Sequence, residues 1–355
     1  MKKKLLITGG AGFVGSNLAV FFKKKYPGCE VVSLDNLRRR GSELNLPRLK
    51  KYGVRFVRGD VRSPKDLERF KDVSLLIDAA AEPSVNAGMG EGPLEIIHHN
   101  LLGTVHCLEL ARKTGAGLIF LSSSRVYPIP ALRDLGYVEN RSRFVLRKKQ
   151  KVSGVSLRGI SEDFPLEGFR SPYGATKLCA ELLIEEYRRF HKVLAVINRC
   201  GVITGPWQMG RVDQGFVALW VARHFWKKPL SYIGFGGEGK QVRDVLHVED
   251  LFGLVDHEAR NMDALSGQVF NVGGGQEVSV SLRELTALCR DVTGHVIPIT
   301  SVAKTRQADI PIYLTDNSRV TQRTGWKPRR GVKKIVEDVH GWIRDNERSL
   351  ESVLI

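Results

Sequence analysis

Cysteine is scarce in this chain and carries none of the patterns that make it informative. The five residues Cys29, Cys107, Cys179, Cys200 and Cys289 are widely spaced, with no CxxC pair. That argues against a disulfide framework or a cysteine zinc site and for a reducing cytosol. No metal site is expected. Long apolar runs are also missing; none approaches the roughly 20 residues that span a bilayer. Lys2–Lys4 ahead of three apolar residues imitates the opening of a signal peptide, but glycine arrives too early for a hydrophobic core segment. A cytoplasmic location without membrane partners is expected. There are no internal repeats. Lys and Arg outnumber Asp and Glu by 55 to 38, a net charge of +17. The basic residues are dispersed, however, and no aromatic platform interleaves with them. No nucleic-acid partner is therefore expected, and the excess reads as surface solubility with some electrostatic steering.

What is present is decided at the N-terminus. With 355 residues, 42% of them apolar, the chain suits one large α/β domain or two unequal lobes. Lys4–Ile7 is a short apolar run fit for a buried parallel strand. Gly9, Gly12 and Gly15 follow at three-residue spacing. The first serves a tight turn, the second a close backbone approach to pyrophosphate, and the third helix-to-strand packing. An amphipathic helix (16–25) and a second strand, Glu30–Asp35, come next. Asp35 lies 20 residues beyond Gly15, where a carboxylate accepts hydrogen bonds from an adenosine ribose. It favours NAD, because it repels a 2′-phosphate. Arg38, Arg39 and Arg40 read as a solvated basic loop. Asp60-Val61, after the strand Val54–Val57, suits the adenine edge.

Strand and helix patterns alternate as far as Leu118–Leu121, which predicts a Rossmann-type, doubly wound parallel sheet. The expected dinucleotide domain spans 1–200, interrupted by an irregular insertion at 128–170. A smaller mixed α/β substrate lobe spans 201–355, with some return of chain to the sheet. Helices are predicted over Leu101–Lys113, Tyr173–His191 (Ser171 as N-cap, Pro172 in the first turn), Val217–Trp226 and Val332–Asp345. A strand is predicted over Leu194–Ile197. The insertion contains a charge run, 147–151, and its length marks it as a candidate lid or mobile segment.

Tyr173 and Lys177 are four residues apart, on one helix face. An ammonium beside a phenol, together with a nicotinamide cation, favours tyrosinate and so a general base. Ser122, Ser123 and Ser124 follow a strand, where a hydroxyl can hydrogen-bond an alcohol and the ketone it becomes. Taken with the glycine turn, these residues point to alcohol oxidation beside a dinucleotide.

The chain resembles the extended short-chain dehydrogenase/reductase family, in its nucleotide-sugar epimerase branch. The resemblance covers nearly the whole length. It rests on Thr8-Gly9-Gly10-Ala11-Gly12-Phe13-Val14-Gly15, Asp35-Asn36-Leu37, Asn100-Leu101-Leu102-Gly103-Thr104 and Tyr173-Gly174-Ala175-Thr176-Lys177. Later in the chain it rests on Asp213-Gln214-Gly215, Gly239 to His247, Arg306-Gln307-Ala308-Asp309 and Gly325-Trp326-Lys327-Pro328. It implies Ser123, Tyr173 and Lys177 as the catalytic set. For NAD it implies Gly9, Gly12, Phe13, Val14, Gly15, Asp35, Asn36, Asp60, Val61, Ala79, Ala80, Ala81, Asn100, Ser122, Cys200 and Val202. For a nucleotide-sugar substrate it implies Ser123, Gln208, Gln214, Gln241, Arg243, Arg306 and Asp309. Guanidinium forks match pyrophosphate oxygens; for Arg243 the competing reading is an ion pair to Asp244 or Asp250.

Within the branch, 4,6-dehydratases carry Asp-Glu beside the catalytic hydroxyl; here those positions are Ser124 and Arg125. Elimination of water then lacks its acid and base, and chemistry by hydride transfer alone remains. The likeness is nearest to epimerases that invert C2 of a CDP-hexose. Pro128, Glu82 and Pro206-Trp207 depart from the pattern, and they bear on the sugar and base rather than the reaction type. The alternatives are a UDP-sugar 4-epimerase, a C2-epimerase of another nucleotide hexose, and a non-catalytic NAD(P)-sensing or nucleic-acid-associated relative. The resemblance also implies a homodimer or dimer of dimers, pairing helices 101–113 and 173–191, with Leu178, Leu182 and Leu183 as candidate contacts.

Overall fold

The run Lys4–Thr8 forms β1, and its side chains are almost wholly buried. It is followed by α1 (Phe13–Lys25), whose last turn carries Lys23, Lys24 and Lys25 on the negative end of the helix dipole. The computed structural model describes residues 4–90, 92–210 and 214–355; Lys2, Lys3 and Asp213 lie outside them. The chain divides into two units, the first made of residues up to Val126, Ser171–Arg199 and Leu251–Phe270.

The first unit is built on a seven-stranded sheet. Its further strands are β2 (Glu30–Asp35), β3 (Arg55–Arg58), β4 (Leu75–Asp78), β5 (Gly117–Ser123), β6 (Ala195–Cys200) and β7 (Val269–Val272). Their spatial order is β7-β6-β5-β4-β1-β2-β3. The pairings among β1 to β5 are parallel, with Leu6 opposite Val32 and Leu76. This is the Rossmann-type doubly wound sheet, reversing direction at β1 and β4. Helices α2 (Gly103–Thr114) and α3 (Pro172–His191) cover one face. There Leu108, Ala111, Ala180 and Ile184 pack on Leu6, Leu76, Leu118 and Ile197. The Ser171 hydroxyl caps α3 by accepting from the Gly174 N–H at 3.4 Å. A π-helical turn, His98–Leu102, precedes α2 where the sequence pattern had begun the regular helix.

The second unit comprises Tyr127–Arg170, Cys200–Asp250 and Asn271–Ile355. Its centre is the strand Val242–His247, paired with Val202–Thr204, Ser279–Ser281 and Ile312–Tyr313. The helices Phe216–Phe225, Leu282–Thr293 and Val332–Asp345 pack on one another. Asp244 is wholly buried and accepts from the Gly275 and Thr315 N–H groups. Burial raises its carboxyl to about 6 against those hydrogen bonds.

The 128–170 insertion, expected as an interruption of the dinucleotide domain, groups with the second unit. It is also ordered, with two hairpins, 137–146 and 155–160. Several fastenings hold it. The Phe144 N–H donates to the Lys240 carbonyl, the Ile160 N–H donates to the Leu314 carbonyl, and the Tyr127 hydroxyl donates to Asn271 at 2.8 Å. Sequence periodicity cannot register such isolated long-range hydrogen bonds. Among the described residues, no helix is long and apolar enough to cross a membrane.

One core residue of the first unit sets a pH dependence. Glu258 is fully buried; its Oε2 accepts from Asn198 at 2.8 Å and its Oε1 has no hydrogen-bond partner among the described residues. Burial raises its carboxyl to about 8. The folded protein therefore holds a proton that the unfolded chain releases near pH 4.5. The resulting stabilisation is full below that pH and is lost as pH rises toward 8. Glu258→Gln should raise the melting temperature at pH 8 relative to wild type and flatten the decline between pH 5 and 8. Parallel wild-type and variant melting curves across that range would refute the assignment.

Candidate active site

The cofactor end of the site grows from the turn after β1. Gly9 adopts φ +60°, and a Cβ there would lie 2.7 Å from the Ala79 carbonyl oxygen. At Gly15 a Cβ would sit 2.2 Å from the Gly9 oxygen, so only glycine lets α1 pack this close. Gly12 caps α1 in an extended conformation without a side-chain hydrogen bond, and a Cβ there would meet only the Gly9 oxygen within 4 Å. The first N–H groups of α1, at Phe13 and Val14, are thus left without a side-chain cap. That is the arrangement a pyrophosphate fits.

Asp35 ends β2 with both oxygens engaged: Oδ2 accepts from the Ala11 N–H at 3.0 Å and Oδ1 from the Leu37 N–H at 2.8 Å. Burial raises its carboxyl despite these bonds. It shapes the glycine turn while keeping lone pairs for a ribose. Burial likewise pushes Asp60 up, but a fork from Arg62 (3.1 and 2.8 Å) and the Asn36 amide at 2.9 Å outweigh it. They hold that carboxyl well below the usual carboxylate range. Val61, beside it, is buried. After β4, the loop holding Ala79, Ala80 and Ala81 is fixed from beneath: the Thr8 and Thr104 hydroxyls donate to Asp78, and the Ala80 N–H donates to Thr8. Asn100, in the π-turn, clamps the Glu82 backbone at both its N–H and its carbonyl.

The candidate reacting groups stand on β5 and α3. Ser123 ends β5, barely exposed, and its Oγ accepts from the Arg125 N–H at 3.2 Å. Tyr173 and Lys177 occupy successive turns at the start of α3. Lys177 is 2% exposed; its Nζ donates to the Leu121 carbonyl at 2.9 Å and lies 4.5 Å above the Phe120 ring. The ammonium is thereby pinned to the strand that presents Ser123. The Ser122 hydroxyl, expected at the cofactor, donates to Glu181 at 2.5 Å, and Glu181 is forked by Arg199 of β6 at 2.7 to 3.2 Å. All three residues are buried. Sequence reasoning missed Glu181 and Arg199. The available signal was Glu181's position, four residues after Lys177 and eight after Tyr173, on the same helix face.

Apart from Ser123, the substrate residues named from the sequence lie in the second unit, as do Cys200, which is buried, and Val202, which is half-buried. Gln208 is spent within its own loop, accepting from Thr204 and donating to the Ile203 carbonyl. Gln241 donates to the Ile233 carbonyl, and its Oε1 is buried without a hydrogen-bond partner among the described residues, as is Oε1 of Gln214. Arg243 donates to the Val242 and Ile310 carbonyls. Of its two expected ion-pair partners, Asp250 is bound by Arg330 and Asp244 by backbone. Arg306 lines a cavity, and Asp309 closes the turn after it, its N–H donating to the Arg306 carbonyl.

Comparison with known proteins follows this geometry. A family model described as the NAD dependent epimerase/dehydratase family matches residues 5–273. The CDP-paratose 2-epimerase of Salmonella typhi is 31% identical, over 96% of this chain and 98% of that protein. The structure of DesIV, a dTDP-glucose 4,6-dehydratase from Streptomyces venezuelae with NAD and TYD bound, superposes with TM-score 0.78 at 26% identity, covering 99% of each chain. The UDP-glucose 4-epimerase of Thermus thermophilus in complex with NAD gives 0.75 at 25%, covering 96% of this chain and 99% of that one.

The buried ion pair supplies a test. Glu181→Ala leaves the Arg199 guanidinium desolvated without a counter-charge and should cost about 3–5 kcal/mol in denaturant unfolding. Ser122→Ala keeps the pair and should cost about 1 kcal/mol. Equal losses would show that the pair is not the anchor.

Proposed function

Since the chain belongs to the NAD dependent epimerase/dehydratase family, we propose that it is an epimerase inverting C2 of a CDP-hexose of the paratose/tyvelose type. The observation that carries the reaction class is the presence of Ser123, Tyr173 and Lys177 with Ser124 and Arg125 where dehydration needs carboxyl groups. The likeness to the Salmonella 2-epimerase supports the substrate.

NAD is the cofactor, held by the glycine turn, Asp35 and the loop after β4; when bound it supplies reversible hydride acceptance. Tyr173 takes the proton of the sugar 2-hydroxyl as a general base and returns it after the ring has presented its other face. Lys177, fixed to the Leu121 carbonyl, holds positive charge near the phenol oxygen and favours its ionised form. Ser123 donates to the sugar oxygen as charge develops there. In the second unit, Gln241 and Arg243 hold the diphosphate and Arg306 assists. The reaction has no net redox change, so product leaves without exchange of the cofactor. We place it in the cytoplasm, where the five free thiols would persist.

Incubation with CDP-, UDP- and GDP-hexoses, read by NMR at each ring carbon, tests the assignment. Inversion at C2 of the CDP-sugar is expected, with no solvent deuterium entering that carbon. Inversion at C4 would instead make the protein a UDP-sugar 4-epimerase, and deuterium at C2 would replace hydride transfer by deprotonation. Tyr173→Phe should lower kcat by about 10²–10⁴-fold with NAD retained. Turnover unaffected by that change would favour a non-catalytic relative.

The assembly we propose is a homodimer, possible as a dimer of dimers, through α2 and α3. Leu182 and Phe190 stand 62% and 76% exposed on α3, while Leu178 is half-buried and Leu183 packs partly into the core. Leu182→Glu should shift sedimentation toward the monomer; an unchanged profile would place the contact elsewhere.

A further inference from the structure

The basic residues are dispersed along the sequence, but the structure separates those with partners from those without. On α2 and α3, Arg112, Arg188 and Arg189 are spent on carboxylates of their own helices. The first hairpin of the insertion and the run after it differ. Residues 137–151 hold six basic side chains against one acidic, Glu139, and Glu139 is taken by Lys240. Arg143 pairs with Glu284 at 3.5 Å. The remaining five are Arg141, in the hairpin turn, and Arg147, Lys148, Lys149 and Lys151, past its open end. All five are exposed and make no side-chain hydrogen bond or ion pair among the described residues.

These cations are held in place. Gln150, inside the run, clamps Gly136: its side-chain oxygen accepts from the Gly136 N–H at 2.9 Å, and its amide donates to the Gly136 carbonyl at 2.8 Å. The same amide donates to the Arg147 carbonyl at 2.9 Å, and the Arg147 N–H donates to the Gly136 carbonyl. The strands set Tyr137 opposite Leu146, Val138 opposite Val145 and Glu139 opposite Phe144. Directly opposed residues share a face of the hairpin. Tyr137, Phe144 and Leu146 lie on the inner face, with the Tyr137 and Phe144 rings 4.7 Å apart. Val138, 45% exposed, and the half-buried Val145 lie on the outer one. A solvated strand face is ordinarily polar. This one is apolar, with unpaired cations at both ends.

Four like charges in five residues repel one another, and folding supplies them no counter-charge; an anionic surface does. We propose that this hairpin docks the protein on an anionic phospholipid membrane. Val138 and Val145 then lie against the interface, and Arg141, Arg147, Lys148, Lys149 and Lys151 reach the headgroup phosphates. The outer valines decide between polyanions. A nucleic-acid backbone offers them no contact, and the outer face carries no aromatic ring on which a base could stack. A lipid interface takes apolar side chains and cations in one plane. The association is peripheral, through a fixed hairpin. Sequence dispersal pointed away from a membrane partner because it does not register which cations are already paired. The proposal does not depend on which sugar is turned over.

Co-sedimentation of the full NAD-loaded chain with vesicles of equal parts phosphatidylcholine and phosphatidylglycerol tests it, against vesicles of phosphatidylcholine alone. Wild type should bind the mixed vesicles and not the neutral ones. Binding should weaken between about 0.01 M and about 0.15 M salt, as the screening length falls from about 30 Å to about 8 Å. Lys148→Gln, Lys149→Gln and Lys151→Gln combined, all at exposed side chains, should weaken binding about 100-fold, or about fivefold per charge, with the melting temperature unchanged. Val138→Ser should weaken it several-fold and leave the salt dependence in place. Lys50→Gln, Lys227→Gln and Lys228→Gln combined remove the same charge from exposed positions elsewhere and should leave binding within a few-fold of wild type. Failure of wild type to bind the mixed vesicles, or equal losses in the two triple variants, overturns the proposal. Binding of single-stranded DNA through Lys148, Lys149 and Lys151 without binding of vesicles assigns the run to nucleic acid and overturns it too.

Discussion

The catalytic end of the first unit depends on one buried charge pair. Glu181 and Arg199 join α3 to β6, and the Ser122 hydroxyl ties the same carboxylate to the end of β5. A pair taken out of water gains little net energy, because desolvation offsets most of the Coulomb attraction. What it gains is definition, since neither charge tolerates the loss of the other. The helix that bears Tyr173 and Lys177 is thereby indexed to the strand that bears Ser123, two turns from the phenol. Lys177 adds a second tie to that strand through the Leu121 carbonyl. Tyr173 and Ser123 thus stand on separate elements whose register is set by polar contacts, where apolar packing alone would permit sliding.

The parts legible in the sequence were those governed by local rules. The glycine turn, the apolar strands, Asp35 at its spacing and Ser171 as a cap each depend on a few neighbouring residues. The illegible parts depend on partners far along the chain. Ser122 reads as a cofactor contact until Glu181, 59 residues away, takes its hydroxyl. Gln208 and Arg243 are ligand groups by resemblance, and the carbonyls to which they donate in the structure were not legible in the sequence. The insertion shows the same division. Its Lys- and Arg-rich run dominates the composition, while its anchors are single backbone bonds and aromatic contacts. Asn100 belongs to both categories: its motif was visible, but its clamp on Glu82 was not.

Buried and half-buried carboxylates show how much of this fold is organised around satisfying backbone. Asp35, Asp78 and Asp244 each sit at or within a strand and accept from the groups of a neighbouring loop. Asp78 does so through the Thr8 hydroxyl. A loop near a ligand exposes N–H groups that no sheet partner can reach, and a short acidic side chain satisfies them without adding bulk. Glu258 is the exception. It serves a single amide, and burial keeps it protonated at neutral pH.

The two ends of the proposed reaction make opposite demands, and the residues reflect them. A cycle that returns the hydrogen it removes has no need to exchange its cofactor, so that end can be held by fixed and buried groups. Asp35 has both oxygens engaged, Asn100 is clamped, and Lys177 is pinned. The nucleotide sugar must arrive and leave at every turnover. Groups already bound within the protein would have to break those bonds each time, whereas free cations and rigid rings lose little on binding and release. Arg306, which lines a cavity of the second unit and makes no side-chain hydrogen bond or ion pair among the described residues, meets that demand in the reading proposed above.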